Sequence, residues 1–243
     1  MKRHLLLISS SVVYGGGYLD HAADEIQSLL GAAGVRTVLF VPYALFDRNA
    51  YALRARDRFR ALGFALDSIH DVPNPKAAVL GAEALFIGGG NTFRLLAMLQ
   101  KQNLLEPIRL RVAEGMPYVG SSAGSNVACP TLKTTKDMPI VEPKSFEALG
   151  LVSFQISPHF LDRDPQSTHM GETQEVRILQ FLEENETPVV GLREGALLRV
   201  DGGSITLKGK AGARIFRRQS EPIEVRPIAR LDDLLAVPSP ASV

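Results

Sequence analysis

The pentapeptide Gly120-Ser121-Ser122-Ala123-Gly124 sets a serine between two glycines, after the apolar run Met116-Pro117-Tyr118-Val119 and before Ser125-Asn126-Val127-Ala128-Cys129. Read as strand, sharp turn and helix, a G-x-S-x-G segment lifts its central hydroxyl, that of Ser122, above a strand end and at a helix N-terminus. The chemistry such a turn serves is acyl transfer. The serine attacks a carbonyl, and the amide of the next residue, Ala123, points to where the oxyanion develops. Glycine-serine turns also occur as plain strand-to-helix connections, so the elbow alone does not decide between nucleophile and turn.

A serine hydroxyl needs a base to take its proton, and the base needs a third group to hold its tautomer. The chain has five histidines. His4 precedes the first apolar run, His21 lies in a helical stretch and His70 sits at a strand end, which suits structural or solvated roles. His159, in Pro158-His159-Phe160, and His169, after a loop rich in Asp, Pro and Ser, compete for the role of base. His159 is preferred because a proline stiffens the turn that carries it. Asp137 and Glu194 are the candidate orienting acids, although a loop aspartate also forms turns and a glutamate beside an arginine also forms surface pairs.

Gly88-Gly89-Gly90-Asn91 would present backbone amides to an anion. That anion could be a phosphate, although the segment lacks the lysine of a P-loop and the spacing of a dinucleotide fingerprint, or the same amides could instead donate to a tetrahedral oxyanion, with that of Ala123 as the second donor. Gly15-Gly16-Gly17 reads as a flexible turn, and Cys129, past the elbow and before a proline, as a small buried apolar residue. Metal-ligand spacings such as His-Glu-x-x-His do not occur, and the expectation is a reaction without metal or other cofactor.

These residues have to be positioned by strands. Apolar runs recur at 5–8, 37–41, 66–69, 84–87, 118–120 and 154–156, with helix-like segments between them. That alternation predicts an α/β fold, a doubly wound and mostly parallel sheet with helices on both faces. Ala22, Ile26, Leu29 and Leu30, then Phe93, Leu96 and Leu99, carry the helical period. Ala196 to Val200, a glycine turn at Gly202-Gly203 and Ile205 to Leu207 predict a C-terminal β-hairpin. Gly88–Asn91, Ser122 and His159 all follow strand-length runs, where open parallel sheets bind their ligands, and are expected to share one cleft.

At 243 residues and 45% hydrophobic content the chain suits one α/β domain over 1–235, with 236–243 as a frayed tail. Its 27 basic and 26 acidic residues are mixed along the chain, and the net charge of +1 argues against a nucleic-acid face. Arg54 to Arg60 reads as a solvated helix face. The lone cysteine excludes an intrachain disulfide. Leu5-Leu6-Leu7-Ile8 is too short for a signal-peptide core, and no run approaches the roughly 20 apolar residues of a membrane helix, so a cytoplasmic protein without membrane partners is expected.

Taken together, Phe86-Ile87-Gly88-Gly89-Gly90-Asn91-Thr92-Phe93, Gly120 to Asn126, Thr134-Thr135-Lys136-Asp137-Met138-Pro139-Ile140, Pro158-His159-Phe160 and Gly171-Glu172-Thr173 resemble the peptidase E (alpha-aspartyl dipeptidase) family in order and spacing. The resemblance runs from about residue 4 to residue 218. It implies a fold like that of class I glutamine amidotransferases (flavodoxin-like), with serine in place of cysteine at the elbow. It implies Ser122 as nucleophile and His159 as general base, with Asp137 and Glu194 both matching positions proposed for the third member. It places Gly89, Gly90, Asn91, Ala123 and Gln174 around the oxyanion and substrate. The implied substrates are dipeptides with N-terminal aspartate, and the one macromolecular partner expected is a second copy of the chain. Cyanophycinases are more distant relatives, so a different acidic-peptide hydrolase is the second expectation and a non-catalytic binder of small anions or peptides the third.

One residue departs from the pattern. The family's Gly-Glu-Thr is commonly followed by arginine, and this chain has Gln174. Glutamine cannot offer the charged bidentate contact a guanidinium makes with a carboxylate, so either Arg163, Arg177 or Arg193 substitutes or the range of substrates is broader.

Overall fold

A computed structural model describes residues 3–168 and 170–235; His169 and the expected tail at 236–243 lie outside the described residues. Five parallel strands, His4–Ile8 (β1), Thr37–Val41 (β2), Ala65–Ser68 (β3), Ala84–Ile87 (β4) and Tyr118–Ser121 (β5), run in the order β3-β2-β4-β5-β1. Strands buried on both faces need apolar residues at every position, which is why β1, β2, β4 and β5 read as continuous runs, while the edge strand β3 alternates exposed and buried residues. Their two faces nonetheless sort cleanly. Leu6, Ile8, Val38, Phe40 and Phe86 pack on the helices Ala23–Ala32 (α1) and Arg48–Ala61 (α2). Leu5, Leu7, Leu39, Val41, Leu85 and Ile87 pack on Pro75–Gly81 (α3), Thr92–Lys101 (α4), Leu105–Ala113 (α5) and Ala123–Val127 (α6). The doubly wound arrangement follows from this period-two sorting. Asp47, Asn74 and Asn91 accept from first-turn amides and start α2, α3 and α4, with Pro75 opening α3.

The last apolar run departs from expectation. Gln155–Pro158 (β6) does not extend the main sheet; it pairs in parallel with Val189–Leu192 (β7) in a separate four-stranded sheet that also holds Ala213–Phe216 (β10) and Ile223–Val225 (β11). The reason is that the free edge of β1 is already taken. Ala196–Asp201 (β8) runs antiparallel to it and turns back into Ser204–Gly209 (β9), so the expected hairpin closes the main sheet. Asp201 faces Ser204 across a two-residue Gly202-Gly203 turn, with Gly202 at φ 60°. The two sheets meet at Ser9, whose amide donates to the Ala196 carbonyl at 3.1 Å and whose hydroxyl donates to that of Leu192 at 2.7 Å. Among the described residues no helix is long and apolar enough to cross a membrane.

The tightest approach in the fold is where α6 crosses β4. A Cβ on Gly124 would stand 2.1 Å from the Ile87 carbonyl oxygen, a backbone atom that cannot step aside. Gly124→Ala is therefore expected to cost about 3 kcal/mol, as overpacking does in a rigid core, and to lower the urea midpoint without changing the slope. An unchanged midpoint in equilibrium unfolding would show that the strand and helix can separate at little cost.

Candidate active site

β5 ends at Ser121 and α6 begins at Ala123, which leaves Ser122 alone in the turn at φ 53°, ψ −108°. A non-glycine residue on the positive side of φ is strained, and surrounding hydrogen bonds have to hold it there. The Ser122 amide donates to the Ile8 carbonyl at 2.9 Å and its carbonyl accepts from Asn126 at 2.9 Å. Ser125 bridges the carbonyls of Ile8 and Gly120 from its hydroxyl, and Tyr118 donates to the Gly124 carbonyl at 2.6 Å. The strain thus aims the hydroxyl without depending on it.

Across the cleft, β6 ends in Pro158 and the chain turns sharply at His159, itself at φ 52°. Asn126 and Thr134 both donate to the Ile156 carbonyl, tying α6 and the 131–138 loop to β6. The Ser9 hydroxyl accepts the His159 amide at 2.9 Å, and Phe160 donates to Leu192 at 3.0 Å, so the turn is fixed to both sheets. His159 Nε2 consequently lies 2.8 Å from Ser122 Oγ. Its Nδ1 lies 2.7 Å from Glu194 Oε1, in the turn that follows β7. A carboxylate can only accept, so in the neutral ring Nδ1 carries the proton and Nε2 is left to accept from the serine hydroxyl. The His159 and Glu194 side chains remain 39% and 49% exposed, which leaves the line open to a substrate from solvent.

Asp137 is placed elsewhere. Its Oδ2 accepts from the Thr92 amide at 2.6 Å and the Thr92 hydroxyl at 2.5 Å, so it braces the start of α4, a position where a negative charge is favoured. Of the two acids left open by the residue pattern, Glu194 is the one on the histidine.

The glycine loop follows β4, whose Ile87 pairs with Gly120 of β5, so the loop and the elbow leave neighbouring strand ends. A Cβ on Gly89 would touch the Ser122 Cβ at 3.1 Å. The Gly89 amide, however, faces the Tyr51 hydroxyl. Gly90 adopts φ 135°, which only glycine takes without strain, and a Cβ there would meet the Ala44 carbonyl at 2.6 Å. Asn91 is spent on structure: its carbonyl oxygen caps Arg94 and its amide donates to Met138 at 2.8 Å.

Gln174 opens the helix Gln174–Glu184 (α7) and works on the backbone of the histidine turn. Its carbonyl oxygen accepts from the Leu161 amide at 2.9 Å, and its amide donates to the His159 carbonyl at 3.3 Å. The same His159 carbonyl accepts from Lys136 Nζ at 2.8 Å, a contact that sequence reasoning did not single out. Arg193, one of the expected substitute cations, is consumed by bidentate bonds to both Asp162 and Glu224. Cys129 is fully buried with its thiol pushed up to about 12, and plays no part in the cleft. Among the described residues no group of three or more His, Cys, Asp or Glu side chains is set to hold a metal ion.

The model of peptidase family S51 matches residues 5–208. The chain is 50% identical over 234 residues to the "Peptidase E" of Streptomyces coelicolor, covering 96% of both chains. It is 47% identical over 234 residues to a Drosophila melanogaster protein named "Probable alpha-aspartyl dipeptidase", covering 96% of this chain and 98% of that one. In structure it is similar to a crystallised peptidase from an acI-B1 Actinobacterium, at a TM-score of 0.72 and 18% identity over 95% of this chain and 97% of the other; at that identity the likeness speaks to fold alone.

Proposed function

The chain belongs to peptidase family S51 and is a serine-type dipeptidase, and from that premise we propose that Ser122, His159 and Glu194 carry the reaction and that the substrates are dipeptides with N-terminal aspartate. The observation that carries the assignment of residues is the unbroken line from Ser122 Oγ through both ring nitrogens of His159 to Glu194. The aspartate preference is taken from the name of the Drosophila relative.

In the first half-reaction Ser122 Oγ attacks the carbonyl carbon of the scissile bond while His159 Nε2 takes the serine proton. The negative charge that appears on the carbonyl oxygen is met by the amides of Ala123 and Gly90, the latter preferred to Gly89, whose amide faces Tyr51. His159 then passes its proton to the leaving nitrogen, the peptide bond breaks, and an aspartyl ester remains on Ser122. Water, deprotonated by the same nitrogen, releases aspartate and restores the serine. Glu194 accepts from Nδ1 throughout and stabilises the imidazolium in between. Asp137 keeps an oxygen beyond its bonds to Thr92 and is the acid proposed to receive the substrate's α-ammonium group.

The reading is tested by assaying Asp-Leu beside Asn-Leu, Glu-Leu and Ala-Leu. Asp-Leu is expected to exceed each of the others in kcat/KM by about 10-fold or more, the discrimination a charged contact supports. Comparable rates on all four, or preferential release of β-linked Asp-Arg units, would remove the aspartyl dipeptidase reading while leaving a serine hydrolase.

A further inference from the structure

We propose that Lys136 is the specificity-determining residue of this site, its ammonium reading the side-chain carboxylate of the substrate's N-terminal aspartate. The inference deepens the function proposed above and rests on it.

The cations near the cleft differ sharply in what they already hold. Arg193 is saturated by Asp162 and Glu224. Arg177 faces Glu172 at 3.7 Å and is largely exposed. Gln174, at the start of α7, is neutral and committed to the His159–Leu161 backbone. Lys136 is different. Among the described residues no carboxylate lies within 4 Å of its ammonium, and its one hydrogen bond, at 2.8 Å, goes to the neutral carbonyl of His159. Two of its three N–H donors are left over. That carbonyl belongs to the residue whose ring meets Ser122 Oγ, so His159 is the one residue that stands between the ammonium and the hydroxyl.

The surroundings suit an anion. Lys136, Ser157, Gln174 and Arg177 share the wall of a cavity of about 70 Å³, several times the room one water needs. The side chain keeps access to solvent, as a group that meets substrate must, yet the protein around it strips part of its hydration. That desolvation draws the pKa down to about 8, with Asp137 and Glu194 pulling it up and Arg177 pushing it down. A partly desolvated ammonium without a carboxylate partner gains more from an incoming carboxylate than a hydrated or paired one does.

The experiment compares wild type, Lys136→Gln and Lys136→Arg on Asp-Leu and Asn-Leu. Lys136→Gln keeps a donor for the His159 carbonyl and removes the charge. It is expected to lower kcat/KM for Asp-Leu by about 10- to 100-fold, mainly through KM, to leave Asn-Leu within a few-fold, and so to collapse their ratio. Lys136→Arg should retain the ratio. In wild type the KM for Asp-Leu should climb above pH 8, where Lys136 gives up its proton, relative to that for Asn-Leu. Charged and titratable neighbours in that experiment are Asp137, Glu194, Arg177, His159 and, on the cavity wall, Lys133. If both substrates fall together, Lys136 only braces the histidine turn and the inference is overturned. Calorimetric binding of the two dipeptides to Ser122→Ala, with and without Lys136→Gln, gives the same discrimination without turnover. Loss of Asp-Leu preference there supports the inference even where hydrolysis of dipeptides fails, and an unchanged preference overturns it even where hydrolysis is robust.

Discussion

Ser122→Ala is expected to reduce turnover of Asp-Leu by about 10⁴- to 10⁶-fold, the loss seen when the nucleophile of such a relay is removed, while the protein stays folded and binds substrate. The separation of effects follows from how the elbow is held. The Ser122 amide and carbonyl are bonded to Ile8 and Asn126, and Ser125 and Tyr118 fasten the neighbouring glycines. None of those bonds uses the Ser122 hydroxyl. Among the described residues its one side-chain hydrogen bond is with His159, so removing the oxygen leaves the strained backbone where it was and should change stability by no more than about 1 kcal/mol. Cys129 cannot stand in as nucleophile: it is buried, and its thiol, at about 12, does not ionise in the neutral range. A fluorophosphonate probe should label wild type and not the variant, with matching thermal midpoints for the two. Residual activity above about 1% of wild type would place the nucleophile elsewhere.

Much of the scaffold was legible because it rests on local rules. The apolar runs became β1, β2, β4 and β5 nearly as read, and the Gly202-Gly203 turn produced its hairpin, since periodicity and turn chemistry act within a few residues. What escaped was pairing at long range. The run at 154–156 looks like one more parallel strand, and nothing within it tells that β8, some 40 residues later, takes the β1 edge and leaves β6 to pair with β7.

The site divides along the same line. Ser122 announces itself through its glycines, and His159 through the proline before it. The acid proposed for the relay could not be read locally, because Asp137 and Glu194 both lie in loops and only the fold shows β7 bringing residue 194 beside the end of β6. Lys136 was hidden for a related reason: its partner is distant in sequence. Its contact with the histidine turn appears only once the fold brings the His159 carbonyl, 23 positions away, onto its ammonium.

The two acids are separated by a paired prediction. Glu194→Gln is expected to lower kcat for Asp-Leu by about 10²- to 10³-fold with little change in KM. An amide of the same shape can turn its NH₂ toward Nδ1, which favours the tautomer that cannot accept from Ser122, and it no longer offsets the charge of the imidazolium. In deeply buried relays such a change costs about 10⁴-fold; here the carboxylate is 49% exposed, solvent screens part of its field, and the smaller figure follows. Asp137→Asn acts on a different step. It weakens the brace on Thr92, worth about 1 kcal/mol as a helix-start contact, and removes the charge proposed to receive the substrate's ammonium group, so KM should rise about 10-fold with kcat within a few-fold of wild type. Steady-state kinetics on both variants checks the division. A larger kcat loss in Asp137→Asn than in Glu194→Gln would mean that the histidine leaves Glu194 for Asp137 when substrate enters, a motion of the turn that Lys136 and Gln174 hold at the His159 carbonyl.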